Sequence, residues 1–126
     1  MIDTTDLIGK PFEYHGRGPD SYDCWGLVKE CYQRWHGVEL PDYPSTPSPL
    51  SNDKEMRRAA QSPVWKPVER MQAGSLVMLR VRGFGSHVGF ALTPTRMIHT
   101  LSNVNAVIVR AQTFKNQIIG SYLYVG

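Results

Sequence analysis

The most constraining feature of the sequence is the run of residues 24–35, where apolar side chains recur with the period of an α-helix. The recurring residues are Leu27, Val28, Cys31, Tyr32 and Trp35. This spacing places them on one helical face and leaves the charged and amide residues on the other. Asp23 is a suitable N-cap, and Gly37 is a suitable terminator with His36 in the last turn. The pattern therefore predicts a helix that packs by one face against the rest of the fold.

Cys24 would stand at the first position of this helix. The positive end of the helix dipole favours a thiolate, so we expect Cys24 to react with alkylating reagents faster than Cys31, which faces the predicted core. Gly26 has no side chain and would let the first turn approach another backbone segment closely. A cysteine among apolar residues is also typical of an ordinary core position. The helix alone leaves both interpretations open.

Composition indicates one soluble globular domain spanning residues 1–126. The chain is 41% hydrophobic and 20% charged, with a net charge of +3, and its length suits a single core. The basic residues are scattered and no nucleic-acid-binding motif is present, so no nucleic acid partner is expected. Cys24 and Cys31 are about 10 Å apart along the predicted helix, which is too far for a disulfide. Without a paired CxxC motif, no metal site is predicted.

The N-terminal residues give no targeting signal. They contain neither a basic region nor an apolar region of the kind found in signal peptides, and no stretch is long enough to span a membrane. If the protein acts outside a cytoplasm, we expect something other than a secretion signal to take it there.

The remainder of the chain predicts a loop, a second helix and a sheet. Residues 41–49 contain four prolines, which indicates a surface loop. A helix over 52–61 would be capped by Ser51 or Asn52, with Glu55 completing a capping box. Short β-rich segments follow, at residues 75–81, 87–92, 96–101, 106–110 and 119–125. The gaps between them are mostly too short for crossover helices, so we predict an α+β domain with an antiparallel sheet of about five strands.

Two histidines fall on neighbouring strands of that sheet. Alternation along residues 87–92 places His87, Gly89 and Ala91 on one face. A turn near Pro94 would pair this strand with the next and make His87 and His99 neighbours. Because a cysteine nucleophile needs a base, and the base needs an orienting group, the sequence predicts a Cys-His-His arrangement with Cys24.

Three linked motifs resemble those of the NlpC-type cell-wall cysteine peptidases, which have a reduced papain-like fold. The motifs are Asp23-Cys24 with Gly26-Leu27-Val28, then Ser86-His87-Val88-Gly89, then Ile98-His99. Residues 72–77 are also similar to the entrance of a family strand. The resemblance implies that Cys24 is the nucleophile, His87 the general base and His99 its orienting residue, without metal or cofactor. The implied partners are peptidoglycan stem peptides, often cut after γ-D-glutamate and before a diamino acid.

The resemblance also implies substrate-binding residues. These are Phe12, Tyr14, Asp23, Trp25 and Ser86. The family usually has a tyrosine where this chain has Phe12, and Tyr14 would share the face of Phe12 in an extended segment and replace it. Asp23 would bind an amino group of the stem peptide, and Trp25 and Tyr14 would line the cleft.

Further residues narrow the branch of the family that the chain resembles. Trp25 replaces the serine that most members carry, and together with Tyr32 and residues 37–43 it is similar to tail proteins of long-tailed phages, the kind related to lambda tail protein K. This similarity implies a protein made in the host cytoplasm, carried in the virion tail tip beside other tail-tip proteins, and used during DNA entry.

Other interpretations are kept as alternatives. The chain could be a structural tail component that docks through residues 41–49 and its last strand. A housekeeping wall hydrolase fits less well without an export signal, and an acyltransferase of related fold is a further alternative. Cys31, His15 and His36 are predicted to be ordinary core, loop and helix-end residues.

Overall fold

The computed structural model describes residues 2–43, 49–81 and 85–126, except for the side chains of residues 49–53 and 85–86. Within these residues the chain forms α1 (Cys24–His36), α2 (Pro49–Ala60), β1 (Trp65–Val68), β2 (Leu76–Val81), β3 (Gly85–Thr93), β4 (Arg96–Leu101), β5 (Val104–Arg110), a 3-10 helix (Ala111–Phe114) and β6 (Ile118–Tyr124). Within the same ranges, neither α-helix is long and apolar enough to cross a membrane.

The strands form one antiparallel sheet in the order β1-β6-β2-β3-β4-β5. The predicted α+β class and antiparallel sheet are confirmed, and the turn at Pro94 separates β3 from β4. The expected number of strands was one too low, because β1 was not predicted. Pro67 lies inside β1 and cannot donate a ladder hydrogen bond. Such a strand is compatible with a sheet edge, where β1 pairs with β6.

Helix α1 begins and ends as the sequence predicts. Oδ1 of Asp23 accepts a hydrogen bond of 2.7 Å from the amide of Gly26, which satisfies a donor of the first turn. Gly37 adopts the left-handed conformation at φ 70°, and its amide donates to the carbonyl of Gln33. A glycine adopts this conformation without the steric cost that a side chain brings. The start of α1 is therefore fixed by Asp23, directly before Cys24.

Helix α2 starts earlier than predicted. It begins at Pro49 rather than Asn52, so Ser51 and Asn52 lie inside the helix and the predicted capping box is wrong. Proline suits the first turn, where its missing N–H has no helical partner and its fixed φ is already helical. Residues 41–43 are neither helix nor strand, as expected of the predicted loop. The rest of that loop, residues 44–48, lies outside the described residues.

The main core lies between α1 and one face of the sheet. Its fully buried members include Leu27, Val28, Cys31, Phe90 and Ile98. Each large aliphatic or aromatic side chain buried in this way contributes roughly 1.5–3 kcal/mol to stability. A second cluster of Val77, Leu79, Ala91 and Met97 lies elsewhere on the sheet. The apolar stripe predicted for α1 thus holds the N-terminus of the helix against β3 and β4.

Gly26 allows the first turn of α1 to touch the preceding loop. A Cβ atom at this position would collide with the backbone carbonyl oxygen of Gly16. We expect Gly26→Ala to lower the free energy of unfolding by roughly 1–3 kcal/mol, because the overpacking exceeds the gain of about 1 kcal/mol in helix propensity. Denaturant unfolding of this variant would measure the loss. Gln33→Ala, at an exposed position of the same helix, is the control and should stay within about 0.5 kcal/mol of wild type.

Candidate functional site

Cys24 lies at the first residue of α1 and is partly exposed. Burial raises the pKa of the Cys24 thiol to about 12, and the charge of Asp23 acts in the same direction. Hydrogen bonding with the backbone of Val88 and the charge of Arg17 oppose the rise. The helix dipole favours a thiolate at this position, but desolvation acts in the opposite direction and keeps the resting thiol neutral. The interaction with Val88 also places the sulfur beside β3, at the residue that follows His87 in the sequence.

The structure brings the two predicted histidines together. Nε2 of His87 and Nδ1 of His99 are 2.9 Å apart, within hydrogen-bond distance, and both side chains are buried. One of these nitrogens donates and the other accepts, according to the tautomers present. The prediction that the two residues are neighbours is confirmed.

The strand register explains why the two rings meet. Phe90 pairs with Ile98 across β3 and β4, so the position opposite His99 is Gly89, two residues from His87. Diagonal neighbours of this kind share a sheet face and lie within reach of long side chains. A Cβ at Gly89 would be 3.4 Å from Cβ of His99. Glycine leaves this space open, and the two imidazoles occupy the same side of the sheet.

Burial keeps both imidazoles neutral near pH 7. Desolvation and the nearby His99 lower the pKa of His87 to about 3. Desolvation also lowers the pKa of His99, whose ring lies edge-to-face on Phe114 with centroids 5.3 Å apart. A neutral His87 can accept a proton, so in the resting state the Cys24 thiol and the His87 imidazole are both neutral.

Asp23 is buried inside the protein rather than presented to a substrate. Its side chain is 0% exposed. Oδ1 accepts from Gly26 and, at 2.7 Å, from Nη1 of Arg17, while Oδ2 accepts from the backbone amide of His15 at 2.9 Å. Since both oxygens are engaged, the structure does not support the prediction that Asp23 binds an amino group of the stem peptide. Its observed contacts hold the start of α1.

Trp25 also belongs to the core and not to an open cleft wall. It is 5% exposed, and its indole Nε1 donates to the carbonyl of Pro41 at 3.0 Å. Its ring lies against Tyr43, with centroids 4.9 Å apart, and edge-on to Trp65. The residue that follows the cysteine in sequence therefore points away from solvent.

Two of the remaining predicted substrate residues, Phe12 and Tyr14, lie on the loop before α1. Phe12 is half-buried and forms an isolated parallel bridge with Tyr22. Tyr14 is exposed, and its ring meets that of Phe12 edge-to-face at 5.1 Å. The two rings are thus on the same side, but Tyr14 lies in a turn and not in the extended segment that we predicted. Ser86 lies in β3, and its side chain is outside the described residues.

Sequence reasoning missed Arg17 and Asp42. Nε of Arg17 donates to Oδ1 of Asp42 at 2.7 Å, and His15 lies near the same carboxylate. Arg17 stands between two glycines in a loop, and its sequence pattern is the same as that of a solvated surface residue. The role of Arg17 is visible only from its contacts in the folded protein.

A comparison with protein-family models shows which family the chain belongs to. The NlpC/P60 family model matches residues 9–122, which is most of the chain and includes Cys24, His87 and His99. The chain belongs to the NlpC/P60 family. No curated protein matches this chain significantly.

Solved structures of NlpC/P60 proteins have the same fold. A Bacillus cereus NlpC/P60 family protein superposes with a TM-score of 0.66 at 22% identity, covering 95% of this chain and 37% of that protein. A Staphylococcus aureus protein described as similar to a lipoprotein of the NLP/P60 family gives 0.61 at 22% identity, covering 95% and 38%. The NlpC/p60 domain of the peptidoglycan hydrolase SagA gives 0.62 at 19% identity, covering 93% and 89%. This chain thus spans well under half the length of the first two.

The neutral resting thiol leads to a prediction about alkylation. Because the pKa of Cys24 is about 12, its thiolate fraction rises about tenfold per pH unit below that value. We expect iodoacetamide to label Cys24 at a rate that climbs from pH 7 to pH 9 without a plateau, measured by peptide mapping. Cys31, at 0% exposure, is the internal control and should stay unlabelled in folded protein. A plateau below pH 7, or equal labelling of both cysteines, would contradict this picture.

Proposed function

We propose that this protein is a cysteine peptidase that hydrolyses the stem peptides of bacterial peptidoglycan, with Cys24 as nucleophile, His87 as general base and His99 as its orienting residue. The observation that carries the proposal is the 2.9 Å contact between His87 and His99 on strands packed beside the helix that begins at Cys24. Membership of the NlpC/P60 family supports it, as does the fold shared with the domain of the peptidoglycan hydrolase SagA.

The route of proton transfer depends on which ring nitrogen of His87 is free to accept the thiol proton. Nε2 of His87 is engaged by His99, so Nδ1 is the nitrogen that takes the thiol proton. Nε2 then carries its own proton and donates to Nδ1 of His99, which fixes the ring orientation and the tautomer. Thiolate and imidazolium form together in one proton transfer, and their mutual attraction in a desolvated site offsets the burial cost of each charge.

Peptide hydrolysis then proceeds in two stages. The sulfur attacks the carbonyl carbon, and the backbone N–H of Cys24 stabilises the resulting oxyanion. The C–N bond breaks as Nδ1 of His87 returns its proton to the leaving amine, which leaves a thioester on Cys24. Water, deprotonated by His87, attacks the thioester carbon, and the C–S bond breaks. The acid product leaves, and the proton on His87 returns to the sulfur of Cys24. The bond expected from the family lies after γ-D-glutamate and before a diamino acid.

Purified protein incubated with peptidoglycan provides the test. We expect mass spectrometry to find released stem-peptide fragments, with a new amino group on the diamino acid. Sacculi whose stem peptides have already been removed should release nothing, which excludes glycan cleavage. A failure to release fragments from intact peptidoglycan at any pH from 5 to 9, with folded protein, would refute the peptidase proposal. Transfer of the acyl group to an added amine in preference to water would instead support the acyltransferase alternative.

A location in a phage tail tip is the second part of the proposal. The similarity of Trp25, Tyr32 and residues 37–43 to the phage branch is what supports this location. Two of these features are in contact in the fold, since Trp25 donates to the carbonyl of Pro41 and packs on Tyr43. Antibody labelling of intact virions should place the protein at the tail tip. Assembly of normal tails in its absence would argue against the structural alternative, in which the protein works by docking alone.

A further inference from the structure

The Arg17 side chain joins three segments around the start of α1. Nη1 donates to Oδ1 of Asp23 at 2.7 Å and to the carbonyl of Gly16 at 3.0 Å. Nε donates to Oδ1 of Asp42 at 2.7 Å, and Nη2 donates to the carbonyl of Tyr43 at 2.9 Å. All three guanidinium nitrogens are therefore used, in a forked geometry that a lysine ammonium does not reproduce.

This network compensates the buried negative charge of Asp23 next to the nucleophile. Asp23 is 0% exposed, and a buried carboxylate is costly unless a cation and hydrogen-bond donors compensate it. Backbone amides of Gly26 and His15 supply donors, and Arg17 supplies the cation. Burial acts against the charge of Arg17, but its bonds to Asp23 and Asp42 outweigh this and raise the pKa of Arg17. The guanidinium therefore stays charged where it meets the carboxylate.

We propose that Arg17 is a positioning residue for the nucleophile. It holds the buried Asp23 carboxylate beneath the first turn of α1, so that Cys24 is fixed in place. Its positive charge also compensates the negative charge of Asp23 beside the thiol. The proposal rests on the peptidase function proposed above. Arg17 contacts Asp23, which in turn binds the amide of Gly26, two residues after Cys24. The same side chain anchors Asp42 and Tyr43, so it also fixes the segment on which Trp25 packs.

The positive charge of Arg17 and the forked geometry of its guanidinium contribute separately to the site. The charge affects ionisation of Cys24, and the geometry affects the position of the first turn of α1. Asp23 opposes ionisation of Cys24, and Arg17 counteracts it. Removing the cation leaves the effect of Asp23 uncompensated, so the thiolate becomes harder to form. Replacing arginine by lysine keeps the cation but loses the fork, so the charge effect stays while the geometry of the first turn loosens.

The test compares Arg17→Gln and Arg17→Lys with Arg34→Gln. Arg34 lies in the last turn of α1 and pairs with Asp6 and Glu30 at 2.7 and 2.8 Å, with a side-chain exposure of 26% against 21% for Arg17. Its loss is thus matched to that of Arg17 as the loss of an ion-paired arginine, but at the end of α1 far from Cys24. Each variant is assayed for iodoacetamide labelling of Cys24 against pH, which needs no substrate, and for kcat and KM on peptidoglycan fragments.

For Arg17→Gln we expect labelling at pH 8 to be roughly threefold slower, equivalent to a shift of about half a pH unit, together with a lower kcat. Arg17→Lys should keep a labelling profile close to wild type but lose roughly tenfold in kcat, with KM little changed. Arg34→Gln should match wild type in both assays.

Three results would overturn the proposal: an unshifted profile in Arg17→Gln, the same shift in Arg34→Gln, or full kcat in Arg17→Lys. If Arg17→Gln does not fold, the kcat of Arg17→Lys tests the proposal: a loss supports it and full kcat overturns it. Should wild type itself fail to hydrolyse peptidoglycan, the proposed function fails. The labelling profiles would still show whether Arg17 sets the field at Cys24.

Discussion

Replacing Cys24 by alanine should abolish release of stem peptides while leaving the protein folded. The sulfur is the atom that forms the thioester in the proposed reaction, and no other described cysteine is exposed. Loss of the nucleophile in a hydrolase of this kind lowers kcat by roughly four orders of magnitude or more. The change removes one sulfur atom at a helix start and keeps the buried face of α1 intact. The free energy of unfolding should therefore change by about 1 kcal/mol or less.

Cys31→Ala is the matched control. It removes the same atom from the same helix, but at a position that is 0% exposed and in the core. This variant should be the less stable of the two, by roughly 1 kcal/mol, and should keep wild-type turnover. Peptide release measured by chromatography, with thermal unfolding of both variants, distinguishes the roles. Residual hydrolysis by Cys24→Ala above background would show that Cys24 is not the nucleophile.

The sequence predicted most of the fold because α1 and the central strands follow simple periodic rules. The apolar stripe, Asp23 and Gly37 together determined the position of α1 to within one residue. β1 was missed because Trp65–Val68 is short and contains a proline, so its strand conformation depends on pairing with β6, more than fifty residues later in the chain. The start of α2 was missed because Pro49 looked like part of a proline-rich loop, although proline also suits a first helical turn.

The candidate site was predicted only where local sequence decides geometry. Strand alternation and a short turn were enough to bring His87 and His99 together. How deeply Cys24 is desolvated depends on the packing around it, which no local sequence pattern shows, so the rise of its pKa was not predicted. The family resemblance assigned Asp23 and Trp25, which flank the cysteine in sequence, to substrate binding. Their burial depends on Arg17 and on residues 41–43, which approach them only in the folded protein.

The two histidines should differ in how much activity they control. His87 moves the proton, whereas His99 acts on the substrate only through its contact with Nε2 of His87. General-base catalysis contributes roughly 10²–10⁴-fold, so His87→Asn should lose an amount in that range. His99→Asn can still accept a hydrogen bond from Nε2 through its amide oxygen, so we expect its loss to be at least about tenfold smaller. Equal loss of kcat in two folded variants would give His99 a more direct role.

Acid stability provides an independent readout on His87. Its pKa is about 3 in the folded protein against an ordinary value of 6.5, so the unfolded chain binds the extra proton between these values. The folded state therefore loses stability as pH falls from about 6.5 towards 3, by at most about 1.4 kcal/mol per pH unit. His87→Asn removes this titration, so its stability relative to wild type should rise between pH 6.5 and pH 4 in urea unfolding. A constant difference across that range would mean that His87 is not held neutral by burial, and its assignment as the buried base would fail.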